Sequence, residues 1–166
     1  MESKRIIFYY QTFNGLSVIL KANPEVTHIH LSSIHFGVED DGQPYIHLNN
    51  LYPDNEKFDS VWIDLEKATS LGIKVVLMIG GAGGGYKYLF ENYKGAYNQL
   101  KQLLEKHSCI VGIDLDIEEM VTIDNVKQLI SDIKQDFPNF IIAMAPIQNS
   151  LQYDTPGMGG FIYKDL

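Results

Sequence analysis

Residues 112–120 read GIDLDIEEM and carry four carboxylates, Asp114, Asp116, Glu118 and Glu119, inside an otherwise apolar run. In an extended strand alternate side chains share a face, with same-face neighbours about 7 Å apart. Asp114, Asp116 and Glu118 then line one side, and Leu115, Ile117 and Glu119 the other. Stacked acids in a partly dry site cannot all ionise cheaply, because like charge and lost hydration both raise carboxyl pKa values. One acid kept protonated near neutral pH is what general-acid catalysis requires. On this reading Glu118 is the proton donor and Asp116 its neighbour in a shared-proton arrangement. Two other readings fit the spacing. A DxD pair can hold a divalent metal through oxygen ligands, and the acids can mark a solvated strand end.

The elements that must position these acids follow from hydrophobic patterning. Near-continuous apolar runs at 5–10, 26–36, 73–81, 109–119 and 140–146 read as strands covered on both faces. Helical periodicity lies between them. Residues 58–72 offer Asp59 or Ser60 as a cap, apolar positions at 61, 62, 65 and 68, and a stop near Gly72. Residues 93–107 place Leu100, Leu103 and Leu104 on one face. Residues 122–138 place Val126, Leu129, Ile130 and Ile133 on one face and break at Pro138. A short helix is expected within 14–25, and the polar segment 37–58 reads as an inserted hairpin. The order β-α-β-α-β-α-β-α-β predicts an α/β fold with a parallel sheet and right-handed crossovers. An open doubly wound sheet and a (β/α) barrel of the TIM type both fit. A full barrel takes about 250 residues. The 166 residues supply roughly five βα units, so a barrel would be partial. In a barrel, Leu115 and Ile117 face the helices and the acids face the interior. Glu118 then comes nearest the C-terminal end of the strand, where such barrels carry their active sites.

Composition narrows the partners. The formal net charge is −8 with no basic run, which speaks against nucleic acid and anionic membrane surfaces. No apolar run reaches the ~20 residues of a membrane span. The segment MESKRIIFYYQTF lacks the apolar core and cleavage site of a signal peptide, and no glycosylation sequon occurs. A reducing interior, or a mature chain without its leader, is the expectation. The one cysteine, Cys109, allows no internal disulfide and reads as a small buried thiol.

VGIDLDIE, residues 111–118, resembles the DGxDxDxE signature of glycoside hydrolase family 18, the chitinase and endo-β-N-acetylglucosaminidase family. Gly112, Asp114, Asp116 and Glu118 match, and Val111 stands where the family has its first aspartate. IIFYYQTF resembles the family's first strand, with an aromatic at Tyr10. THIHLSSIHFG resembles the second, ending in Phe36. VVLMIGGAGGG resembles the third-strand SxGG motif, with Met78 for serine and Gly80 and Gly81 retained. IIAMAP, with Met144, resembles the fifth. The resemblance covers about residues 5–146. It implies a single catalytic-type domain over residues 1–166, incomplete at its C-terminus, because the strand-six tyrosine and strand-eight tryptophan of the family find no match. Trp62 lies in a helical pattern and reads as core, and Tyr153 and Tyr163 cannot be assigned to a sixth strand.

The activity implied is retaining, substrate-assisted hydrolysis of β-1,4-linked N-acetylglucosamine, in chitin or an N-glycan core. Glu118 would be the acid and base, Asp116 would orient the acetamido group, and Asp114 would hold Asp116. Tyr10, Phe36, Gly80, Gly81 and Met144 would contact substrate, with no metal or cofactor. A non-catalytic carbohydrate-binding protein on a degenerate barrel is the second expectation, and a metal-dependent sugar transferase using Asp114 and Asp116 the third. Other features have local readings. Gly80–Gly85 suggests a loop with left-handed positions more than a phosphate cradle, since no Walker lysine follows. His28 and His30 share a strand face, a weak metal signal. Glu119 points away from the three acids. An open half-barrel would expose strand edges, so self-association is expected of it.

Overall fold

A computed structural model describes residues 4–21 and 25–166. The helix expected within 14–25 appears as α1, Ser17–Lys21, and the rest of that expectation, at 22–24, lies outside the described residues, as do the first three residues of the segment read for a signal peptide. Five strands are parallel and run in strict chain order: β1 (Ile7–Tyr10), β2 (His28–Val38), β4 (Lys74–Gly80), β5 (Ile110–Asp116) and β6 (Ile141–Met144). A doubly wound sheet reverses its strand order at a switch point. This sheet has no reversal among the described strands, and it curls into a half-barrel.

The curl is visible in one contact. β1 and β5 are three strand spacings apart, roughly 14 Å if the sheet were flat. Yet the Tyr9 hydroxyl on β1 donates to Asp114 Oδ2 on β5 at 2.9 Å. Only a concave inner face brings them together.

The polar insertion forms β3 (Pro44–Leu48), antiparallel to the end of β2. Ile34 pairs with both Leu48 of β3 and Ile79 of β4, so β3 occupies the β2 edge that β1 has left. The helices are α2 (Asp59–Ser70), α3 (Tyr86–Glu91), α4 (Tyr93–Lys106), α5 (Ile123–Asp136) and α6 (Gln148–Gln152). α2 starts directly from a 3-10 turn at Glu56–Phe58. Neither Asp59 nor Ser60 caps it. Instead Asn55 caps the 3-10 turn by accepting from the Lys57 amide. α3 has no counterpart in the periodic patterns. Thr122 caps α5 through the Asn125 amide at 3.2 Å, and the helix ends before Pro138, where ring closure forbids continuation.

The outer face of the sheet is apolar. Ile29, Leu31 and Ile34 of β2, Val75, Leu77 and Ile79 of β4, and Ile110, Ile113 and Leu115 of β5 are buried against Val61, Leu65, Leu100, Val126, Leu129 and Ile133 of the helices. Trp62 joins this core, donating its indole N–H to the Pro53 carbonyl and stacking on His107. Cys109 is buried, and burial pushes its thiol up to about 11, which makes it a poor nucleophile.

Candidate active site

β5 carries an extra residue between its Ile110 and Ile113 pairings with β4. Beyond that irregularity the alternation is regular, with Asp114 and Asp116 inward and Ile113 and Leu115 outward. Asp114 is 1% exposed. Its Oδ2 takes the Tyr9 hydroxyl at 2.9 Å and His30 Nδ1 at 2.8 Å, while its buried Oδ1 has no protein partner. An ionised carboxylate only accepts, so His30 Nδ1 carries the proton in that state. Burial and the Asp114 charge hold the Tyr9 phenol well above its usual range, so it stays a donor.

Asp116 lies one step toward the C-terminal end. Its carboxyl is pushed up to about 6, first by burial, then by the charges of Glu118 and Asp114. The three acids therefore form one electrostatic unit. The structure corrects one detail of its geometry. β5 ends at Asp116, and Glu118 is exposed in the following loop rather than on a strand face. Dense charge at the sheet's open end is cheaper in contact with water than within the ladder.

Gly80 and Gly81 lie beside these acids. Gly80 pairs with Asp116 in the sheet, and the Gly81 amide donates to the Asp116 carbonyl at 2.9 Å. Both have positive φ, +92° and +84°. A Cβ on Gly80 would overlap the Asp116 carbonyl oxygen and the Tyr86 ring. The glycine is thus required by packing within the chain as well as by backbone conformation. A Cβ on Gly81 would lie 3.4 Å from Asp116 Oδ2. Gly84 and Gly85 also take left-handed conformations. His35 Nδ1 meets the Gly84 carbonyl at 3.2 Å, bracing this loop.

Three sequence candidates go elsewhere. Tyr10 faces the helices, not the acids: it is 3% exposed, its hydroxyl accepts from the Gly15 amide at 3.0 Å, and its ring packs edge-on against Phe13. Phe36 shares the core side with Ile34 and is 4% exposed. Met144 pairs with Leu115 and packs against the outer core, so Ala143 is the residue beside Asp114. In each case the correction is strand parity, since one residue's shift exchanges faces.

Four residues at the site were not assigned to it from the sequence. Tyr9 and His30 hold Asp114. Tyr86 is buried, donates its hydroxyl to the Ile79 carbonyl at 2.8 Å, and is held far above its usual range by burial and then by Asp116 and Asp114. Tyr163 follows a tail that folds back on the loop after β5, where the Val121 amide bonds the Gly159 carbonyl and Phe161 enters the core. Burial and the Asp116 charge raise its phenol. Parity on β1 marks Tyr9 once Tyr10 is known to face the core. For Tyr163 no local signal exists. Glu119 turns from the acids, as expected, and accepts from the Tyr86 amide at 2.5 Å at the start of α3.

The fold that carries this carboxylate row has counterparts among solved structures. A chitinase from Aspergillus fumigatus superposes with a TM-score of 0.88 at 30% identity, covering 98% of this chain and 61% of that one. The resemblance to glycoside hydrolase family 18 stands. A fungal endo-β-N-acetylglucosaminidase of family 18 follows, with a TM-score of 0.84 and 28% identity over 98% of this chain and 61% of that one. A family 18 chitinase from Pseudoalteromonas aurantia shares the fold at a TM-score of 0.69 and 16% identity, over 96% of this chain and 60% of that one. The chain thus spans about three fifths of the length of these family 18 structures. No protein-family model matches the sequence, and no curated protein does.

Proposed function

We propose that the site hydrolyses β-1,4 linkages of N-acetylglucosamine, in chitin or N-glycan cores, with retention and with the substrate's own acetamido oxygen as nucleophile. The observation that carries this reading is the graded acid row: buried Asp114 held by two donors, half-buried Asp116 pushed up to about 6, and Glu118 exposed at the mouth. Glu118 gives its proton to the glycosidic oxygen as that bond breaks. Asp116, backed by Asp114, orients the acetamido group while its oxygen closes on the anomeric carbon to form an oxazolinium ion. Glu118 then takes a proton from water as the water opens that ring. The family 18 neighbours are a chitinase and an endo-β-N-acetylglucosaminidase, which supports this substrate class.

The metal-dependent reading is less well supported. Among the described residues no three His, Cys, Asp or Glu side chains cluster in a way that could hold a metal ion.

The test is cleavage of N-acetylglucosamine oligomers and of a high-mannose glycopeptide by the wild-type chain and by Glu118→Gln. We expect retained anomeric configuration and a loss of about 10²–10⁴-fold in the variant, the usual worth of a positioned acid. A folded wild type that binds these sugars but cleaves none would replace hydrolysis with carbohydrate binding, a reading favoured by the open inner face, on which Ile7 and Tyr9 are more than 40% exposed.

A further inference from the structure

His30 lies two strands from β5 yet reaches Asp114 Oδ2 at 2.8 Å, with side chains 3% and 1% exposed. The Tyr9 ring packs edge-on against the His30 imidazole, with centroids 5.0 Å apart, while its hydroxyl bonds the same carboxylate oxygen. Tyr9, His30 and Asp114 are therefore one unit spanning β1, β2 and β5. Nearby positions leave Asp114 no other donor. Its neighbour in the sheet on β4 is Met78, whose sulfur is occupied by the Ser32 hydroxyl, and its neighbour on β6 is Ala143.

We infer that His30 is a positioning residue that holds Asp114 ionised and so leaves the site's mobile proton on Asp116. The inference rests on the hydrolytic reading only for its consequence for rate. The physical reasoning is direct. A buried carboxylate stays charged only when donors replace its lost water. Two donors converge on Oδ2, and hydrogen bonds to a charged acceptor are the strong kind. An ionised Asp114 then repels charge on Asp116, so the proton of the pair resides on Asp116, next to Glu118. Removal of the His30 donor favours protonation of Asp114 and draws the proton inward, away from the mouth. The other titratable groups around the pair are Tyr9 on β1, His28 on β2, Glu118 after β5, Tyr86 on α3 and Tyr163 in the tail. Tyr9 already donates to Asp114 Oδ2, the Tyr86 hydroxyl is committed to the Ile79 carbonyl and His28 Nδ1 is engaged by the Thr27 hydroxyl, so none of these three replaces the His30 donor.

The test compares wild type with His30→Asn, whose amide N–H can occupy the Nδ1 position, and with His30→Leu, which offers no donor. Carboxyl carbon titration by NMR on the whole chain reads the pair without substrate. We expect the raised Asp116 step of the wild type to move to lower pH in His30→Leu and to stay near wild type in His30→Asn. In the wild-type imidazole nitrogen spectrum, Nδ1 of His30 should carry the proton. Where hydrolysis is measurable, His30→Leu should lower kcat about 10–100-fold with KM within about twofold, and His30→Asn should recover most of that loss. Unchanged carboxyl titrations in His30→Leu, or a bare Nδ1 accepting from a protonated Asp114, would overturn the inference. A wild type that cleaves nothing would count against the hydrolytic reading alone, because the titrations still decide the role of His30.

Discussion

The two faces of the sheet obey opposite rules. On the outer face every central position is aliphatic, and Ile29, Leu31, Leu77, Ile79, Ile113 and Leu115 are fully buried. On the inner face the same strands present His28, His30, Ser32, Met78, Asp114 and Asp116. The outer face gains free energy by removing apolar surface from water, at about 25 cal/mol per Å². The inner face spends some of it, keeping charged and polar groups in a partly dry concavity, with one carboxylate oxygen left without a protein partner. Stability is concentrated on one side of each strand and chemistry on the other, with single-residue parity separating them.

Substitutions on each face should separate these roles. Leu77→Ala opens a cavity in the middle of the outer core and should cost about 3 kcal/mol, read by urea unfolding. Leu77 faces away from the acids, so the Asp116 carboxyl titration of the folded variant should match wild type. A shifted titration would show that the two faces are coupled through the strand. Gly80→Ala tests the seam between the faces. It forces an alanine to φ near +92° and pushes a methyl against the Asp116 carbonyl and the Tyr86 ring. A loss of about 2 kcal/mol is expected. Here, unlike at Leu77, the Asp116 titration should move as well, because the backbone carrying that carboxyl must shift. A stability loss with an unmoved titration would mean that the strain is absorbed by Tyr86 alone.

The outer face was largely legible in the sequence. Continuous β-branched runs at β2, β4 and β5 and leucine periodicity in α4 and α5 mark it, because burial on both sides or along one stripe leaves a pattern of its own. The inner face was legible only where charge interrupts an apolar run. Asp114 and Asp116 stood out for that reason. Tyr9 did not, because two adjacent tyrosines give no parity: β1 is four residues long, and nothing in YY says which ring faces the acids. Phe36 and Met144, placed at the site by resemblance alone, lie on the core side of their strands. His30 hid among three histidines in one strand, and its role depends on a contact across two strands that only the curl of the sheet creates. Glu118 continued the alternation on paper, whereas the strand stops at Asp116. α3 escaped because its six residues are too few for periodicity, and its start is fixed by Glu119, distant in sequence.

The smallest expected effect is also the most specific to the inner face. Asp116 has a native pKa near 6 against about 3.9 in an unfolded chain. Between those values the folded state holds more of the proton, so stability should fall as pH rises from about 4 to about 6 and then level off. Below about 4 both states are protonated and above about 6 both are ionised, so the cost of keeping this charge is complete at neutral pH. Asp116→Asn removes the charge without changing the shape. Relative to wild type it should gain nothing at pH 4 and about 1 kcal/mol at pH 7, allowing for solvent screening of a half-buried group. That corresponds to a rise in melting temperature of about 2–4 °C at pH 7 in a chain of this length. The same substitution should abolish any cleavage that depends on orienting the acetamido group. A variant more stable yet inactive would show that the inner face holds its charge at the expense of the fold. Equal stability of the two proteins at pH 4 and pH 7 would show instead that Asp116 is solvated as freely as a surface acid, and that the graded acid row does not exist.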